Sequence, residues 1–382
     1  MRLPAILGIA SGAGVAAVGL PALLLARRLE NRGFDPGRDH AVDPLDLQVT
    51  AISDETVTLR PATKAPGIRA DEPGQYLLQA ARGWGYAGRV IDCNEIISIR
   101  EFRPGAGDIR AGDYGRLDGF AQPIDPMVAH GLPFENVQFA SPLGDFPAWY
   151  LPGTTGTWAI MTHGKGADRR EALRILPALV ASRFHCLAIT YRNDIDVSPS
   201  PSGRYSYGKE EWEELDGAVA YALDHGATDV VLVGYSMGGA ITLSFMENSE
   251  YAEHVSALIL DAPMTDLEET VKHGAAQAGL PLPFLAISNR VAALLYRFRW
   301  SDFDYLKTAP RLSVPVLLFH GTNDRTIPVE LSDSFAAARP DIVQYVRVPD
   351  ADHVRAWNMD PVAYEQTVRD FVRTRRSVRA GQ

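Results

Sequence analysis

The sequence predicts an α/β fold built on a mostly parallel sheet of eight strands with helices on both faces. Three observations predict it. Short continuous apolar runs bounded by turn residues recur from Glu135 onward, as strands buried on both faces require. Helix-compatible stretches separate most of these runs, which implies crossover connections. A Gly-x-Ser-x-Gly stretch, Gly234 to Gly238, stands between one apolar run and one helical stretch.

Length and charge narrow the rest. The 382 residues suffice for two or three domains with hydrophobic cores. Hydrophobic residues at 46% and charged residues at 22% exclude wholesale disorder. The net charge is −10 and no basic block interrupts the chain, which argues against a nucleic-acid partner. Cys93 and Cys186 are too few for a disulfide framework or a zinc site.

Residues 3–26 carry no charged side chain, with Arg2 before them and Arg27 and Arg28 after. A helix of that length reaches about 36 Å, enough to cross a hydrocarbon core of about 30 Å. Residues 1–30 are therefore expected to be a single-pass membrane anchor, its orientation open, or a leader removed on secretion. Residues 40–133 carry short apolar runs broken by Gly and Pro, the pattern of a small β-rich unit. Within it, Gly-Trp-Gly-Tyr at 83–86 and Pro-Gly-Ala-Gly at 104–107 read as turns. No chemical motif lies there.

The body spans 135–376. Strands are expected at 137–140, 148–151, 158–162, 186–191, 230–234, 257–260, 314–319 and 343–348. Helices are expected at 169–182, 209–225, 237–248, 329–338 and 361–375. The first strands have no helix between them and should pair antiparallel. Functional groups on such a sheet belong in loops at the carboxyl ends of its strands.

The chemistry centres on Ser236. A serine on a sharp strand-to-helix turn must stand clear of the sheet, so the residues two before and two after it must lack bulk. Gly234 and Gly238 meet that need, and Gly239 extends it. A serine hydroxyl also needs a base. His353 follows the strand at 343–348, and Asp324 follows the strand at 314–319. The expected assignment is Ser236 as nucleophile, His353 as base and Asp324 as the carboxylate that fixes the imidazole tautomer. Asp261, also at a strand end, is the rival acid. His320 reads as structural, and Asp350 and Asp352 as solvated. Two backbone N–H groups should hold the tetrahedral oxyanion: Met237, after the nucleophile, and Lys165, in the loop His163-Gly164-Lys165-Gly166.

With these residues the chain resembles an α/β-hydrolase over about 135–376. More narrowly it is similar to the Bem46-like and serine-aminopeptidase-like group, loosely called lysophospholipase-like. The resemblance implies a lid at about 264–309, and that segment is dense in aromatic and aliphatic residues. It implies hydrolysis of a carboxylic ester, a lipid or lysophospholipid included, through an acyl-enzyme. Peptide hydrolysis, with Glu268 or Glu269 holding a substrate ammonium, and acyl transfer to an alcohol both stay open. The expected partners are a small-molecule ester or lipid and, through the N-terminal run, a membrane. Neither His-Glu-x-x-His nor Cys-x-x-Cys occurs, so no cofactor or metal is expected.

Overall fold

The computed structural model describes residues 27, 33–39, 44–64 and 67–379. Residues 47–118 build a small barrel; residues 135–379 build a sheet with helices on both sides.

The barrel strands are β1 (Leu47–Ile52), β2 (Thr56–Pro61), β3 (Tyr76–Ala80), β4 (Gly83–Cys93), β5 (Ser98–Gly107) and β6 (Tyr114–Asp118). They close in the order β1-β2-β5-β4-β3-β6, every pair antiparallel. Closure leaves no open edge. Alternating inward residues, among them Leu47, Val49, Val57, Leu59, Tyr76, Leu78 and Phe102, fill the interior. The fully buried Arg100 crosses it. Its guanidinium donates to the carbonyls of Gly88, Ala70, Glu72 and Gly74.

The glycine-rich stretches at 83–86 and 104–107 are not turns. They pair with each other as the start of β4 and the end of β5, with a register shift between Trp84 and Gly85. The reason is close packing. A Cβ on Gly105 would fall 2.0 Å from the Trp84 ring, so the glycine makes room for that ring on the ladder.

The eight strands of the body are β7 (Glu135–Ser141), β8 (Gly144–Leu151), β9 (Thr157–Thr162), β10 (His185–Ile189), β11 (Asp229–Tyr235), β12 (Val255–Asp261), β13 (Val316–Gly321) and β14 (Val343–Val348). Their order is β14-β13-β12-β11-β9-β10-β8-β7. Strands β9 to β14 run parallel, while β8 is antiparallel to both β7 and β10. The sheet is thus the eight-stranded, mostly parallel one the sequence predicts. Helices α1 (Leu176–Ala181) and α7 (Pro361–Arg379) cover one face. Helices α2 (Trp212–Asp224), α3 (Met237–Asn248) and α6 (Val329–Ala338) cover the other. Helix α3 is buried on all sides from Met237 to Phe245, which matches its nearly uniform apolar sequence. Between β12 and β13 lie α4 (Leu267–Gln277) and α5 (Leu282–Tyr296). There Phe298, Trp300 and Phe303 pack on one another and on Phe34, so these rings form the segment's own core.

The membrane localisation expected from residues 3–26 is corrected. Those residues lie outside the described ones, and no described helix is long and apolar enough to cross a membrane. Helix α5 has 15 residues, about 22 Å, and α7 carries charges along its length.

Barrel and body meet through Asn358, which is fully buried. Its amide donates to the Gln75 carbonyl at 2.6 Å and the Gly119 carbonyl at 3.1 Å, and its own carbonyl accepts from Gln75 N–H at 2.8 Å. Arg170 adds an ion pair to Asp118 at 3.1 Å. Replacing Asn358 by Ala strands the buried Gly119 carbonyl and removes an acceptor of the buried Arg174. The expected cost is about 2–3 kcal/mol, measured as a lowered denaturation free energy.

Candidate active site

Four loops at the carboxyl ends of β9, β11, β13 and β14 converge. Ser236 sits between β11 and α3 with φ 50° and ψ −115°, a strained conformation for a residue with a Cβ. The strain is held from several sides. Ser236 N–H donates to the Asp261 carbonyl at 3.0 Å, and its carbonyl accepts from Met264 N–H at 2.9 Å. A Cβ on Gly238 would lie 2.2 Å from the Thr162 carbonyl, so only glycine lets α3 start this close to β9.

Ser236, Asp324 and His353 come together. The Ser236 hydroxyl donates to His353 Nε2 at 2.9 Å, and His353 Nδ1–H donates to Asp324 Oδ2 at 2.7 Å. Asp324 Oδ1 accepts from the N–H groups of Thr326 and Ile327, at 2.7 and 2.8 Å. Burial alone would raise the Asp324 carboxyl. The His353 and His320 rings outweigh that and hold it well below the usual carboxylate range. Burial alone would lower His353; Asp324 outweighs it, and the ring lies above its ordinary 6.5, although Arg355 pulls the other way.

Asp261 does not reach the histidine. It is enclosed behind Ser236, and burial pushes its carboxyl up to about 6. His320 is more than a packing residue: its Nε2 lies 3.1 Å from Asp324 Oδ2. That nitrogen also faces the Ile327 carbonyl, so it carries the proton, and Nδ1 accepts from the Ser332 hydroxyl at 2.6 Å. Asp352 is not merely solvated. It binds Arg325 through both side chain and backbone and so ties the Asp324 loop to the His353 loop.

The loop of His163, Gly164 and Lys165 lies against Ser236: a Cβ on Gly164 would stand 3.0 Å from Ser236 Cβ. Gly164 N–H is taken by Glu171 Oε2 at 2.7 Å. The next backbone N–H along is that of Lys165, whose ammonium lies over the Tyr205 ring at 5.3 Å. Met237 is the first residue of α3, where N–H groups lack intrahelical acceptors. His163 Nε2 faces Asp194 at 2.8 Å and Nδ1 faces the Gly164 carbonyl at 2.9 Å. Both partners only accept, so both nitrogens must donate and the ring is an imidazolium. Burial opposes that charge, and Asp194 outweighs it, raising the ring to about 9.

Sequence reasoning missed Glu171 and Arg174. Glu171 Oε1 pairs with Arg174 at 3.0 Å, and Arg174 donates to the Val354 carbonyl at 2.7 Å and to Asn358 Oδ1 at 3.2 Å. Three-residue spacing on a helical turn was their signal, though it is common on any surface.

Residues 150–367 match the model of the alpha/beta hydrolase family. The chain belongs to the alpha/beta hydrolase family. Among curated relatives, the Escherichia coli protein YfhR, itself uncharacterized, is 22% identical over 62% of this chain and 80% of its own. Human protein ABHD12B is 27% identical over 45% of this chain and 46% of its own. Among solved structures, an esterase of Pyrococcus furiosus superposes with a TM-score of 0.53 at 17% identity, covering 66% of this chain and 95% of that one. These matches fix the family and the fold and no narrower group.

His163 yields a stability prediction. Its folded value of about 9 exceeds its ordinary 6.5, so its contribution is complete below pH 6.5 and is lost as pH rises through 9. Denaturation free energy should fall by about 3 kcal/mol more across that window in the native chain than in His163→Gln, by chemical denaturation at each pH.

Proposed function

We propose that this member of the hydrolase family is a serine hydrolase that cleaves carboxylic esters through an acyl-enzyme. The observation that carries the reading is the continuous pair of hydrogen bonds from Ser236 through His353 to Asp324. Ser236 Oγ attacks the ester carbonyl as His353 Nε2 takes its proton. Asp324 steadies the resulting imidazolium. The backbone N–H groups of Met237 and Lys165 receive the tetrahedral oxyanion. Its collapse expels the alcohol, which leaves with the proton from His353. Water then attacks the acyl-serine, His353 takes the proton of that water, and the acid departs as Ser236 recovers its hydrogen.

One observation favours esters over aminoacyl amides. Glu268 and Glu269, the acids available to hold a substrate ammonium, are half-exposed on α4 and both pair with Lys272, at 3.3 and 2.7 Å. The narrower lysophospholipase-like resemblance suggests a substrate with an acyl chain.

Ser236→Ala should abolish fluorophosphonate labelling and lower turnover of p-nitrophenyl esters by at least about 10⁴-fold. Persisting turnover in that variant would reject the mechanism. Aminoacyl anilides run beside the esters test the amide alternative. The pH profile of kcat/KM should rise through a midpoint above 6.5, because the base must be neutral and Asp324 raises it. The groups facing His353 are Asp324, Arg355 and Glu171. Asp324→Asn should move that midpoint down and lower kcat by about 10³–10⁴-fold. Glu171→Gln, which weakens the anchor of the Gly164 loop, should lower kcat by about tenfold or more with little change in KM. An unchanged kcat would remove Glu171 from the positioning of that loop.

A further inference from the structure

A cavity of about 890 Å³ opens along the seam between barrel and body. Its wall includes Gly166 and Ala167, which continue the loop packed on Ser236, and Arg355, two residues beyond His353. A ligand there would touch both loops that carry the site.

The pairing of charges within the wall is uneven. Asp118 and Asp168 are both engaged by Arg170, and Asp194 by His163. Arg116 binds Gln79 Oε1 and the exposed Asp196 also stands on the wall, which leaves the guanidinium groups of Arg169 and Arg355. Arg169 stacks on Trp149 with its charge centre 4.8 Å from the ring, and its Nη1 is buried with no hydrogen-bond partner. Arg355 lies flat against Gly119 across the seam, where a Cβ would fall 2.0 Å from Nη2, and its hydrogen bond is a long one to the Val354 carbonyl at 3.3 Å. Among the described residues neither forms an ion pair with a carboxylate. Desolvated, unpaired guanidinium groups are costly, and their planar forks match carboxylate and phosphate oxygens. On the barrel side, Asp46 accepts from Gly67 N–H through Oδ2, while its buried Oδ1 has no partner. That oxygen calls for a donor such as a hydroxyl.

We propose that this cavity is a substrate subsite for an anionic group, a carboxylate or phosphate with a hydroxyl beside it, held by Arg169 and Arg355 next to the reacting ester. The subsite rests on the reading of Ser236 as nucleophile and adds a substrate class to it: esters whose non-reacting part is negatively charged. Held between the loop of Gly164 and the loop of His353, such an anion would also draw those loops together around the reacting carbonyl.

The test compares matched substrates at low ionic strength. Mono-p-nitrophenyl adipate against p-nitrophenyl hexanoate places a carboxylate on the acyl side. Butyryl glycerol 3-phosphate against monobutyrin places a phosphate, with a hydroxyl beside it, on the alcohol side. The native chain should favour the charged member of at least one pair by about tenfold in kcat/KM, one charge-assisted contact being worth that much. The pair that responds tells a carboxylate on the acyl side from a phosphate on the alcohol side. In Arg169→Gln and in Arg355→Gln the charged-to-neutral ratio of that pair should fall about tenfold. Ratios near one in both pairs of the native chain, or a preference that survives both substitutions, overturn the subsite. The native ratio needs no variant, so a substitution that disturbs folding leaves the test intact. Turnover that persists in Ser236→Ala would overturn the serine reading instead, a result distinct from a missing charge preference.

Discussion

The buried ion pair of Glu171 and Arg174 joins the parts on which the site depends. Glu171 fixes the loop beside Ser236 through Gly164 N–H. Arg174 reaches the Val354 carbonyl, next to His353, and the Asn358 side chain, which binds the barrel. Attraction alone does not justify such a pair, since desolvating two ions costs several kcal/mol. What it supplies is position. Glu171 Oε2 holds the Gly164 loop and Arg174 Nη1 holds Val354 and Asn358, so removing either partner leaves a buried charge facing the site. The nucleophile loop, the histidine loop and the seam therefore share one electrostatic joint.

The sheet explains why those loops meet at all. Parallel strands bring all their carboxyl ends to one edge, and the order β9, β11, β12, β13, β14 sets the four functional loops around that edge. The acid is held more heavily than a plain turn aspartate. Two N–H groups, two imidazoles and burial act on Asp324 together, and the hydrogen bonds prevail over desolvation. His320 behind it matters for orientation: its Nε2 lies 3.1 Å from Oδ2 and holds that oxygen from the side away from His353.

Much of this can be read in the chain itself. The central strands β9 to β13 appear as apolar runs because both of their faces are covered, the edge strands β7 and β14 are more exposed, and α3 and α6 fall on the residues the pattern marks. The order of serine, acid and histidine at successive strand ends draws Ser236, Asp324 and His353 out of a long chain. Other parts leave no such trace. Glu171 and Arg174 resemble any surface pair until a fold buries them, and His320 resembles a core histidine until its ring is found behind Asp324. The glycines of β4 and β5 were misread because a glycine that admits an aromatic ring has the same local signature as one that bends the chain. Local pattern records the period of an element; it does not record which partner crosses it.

The barrel is coupled to the chemistry by what it covers. Its docking places Gly119 against Arg355 and Asp118 against Arg170, so arginines of the body have their surroundings set by another part of the chain. Burial lowers Arg355, and the neighbouring Arg174 adds to the effect, while Arg355 in turn pulls His353 down against the lift from Asp324. The basicity of His353 is thus a balance between a carboxylate behind the ring and a guanidinium pressed beside it by the barrel. Loosening the seam would hydrate Arg355, weaken its pull and shift that balance toward Asp324. A structural contact at Gly119 and a proton affinity at His353 are in this sense one interaction seen from two ends.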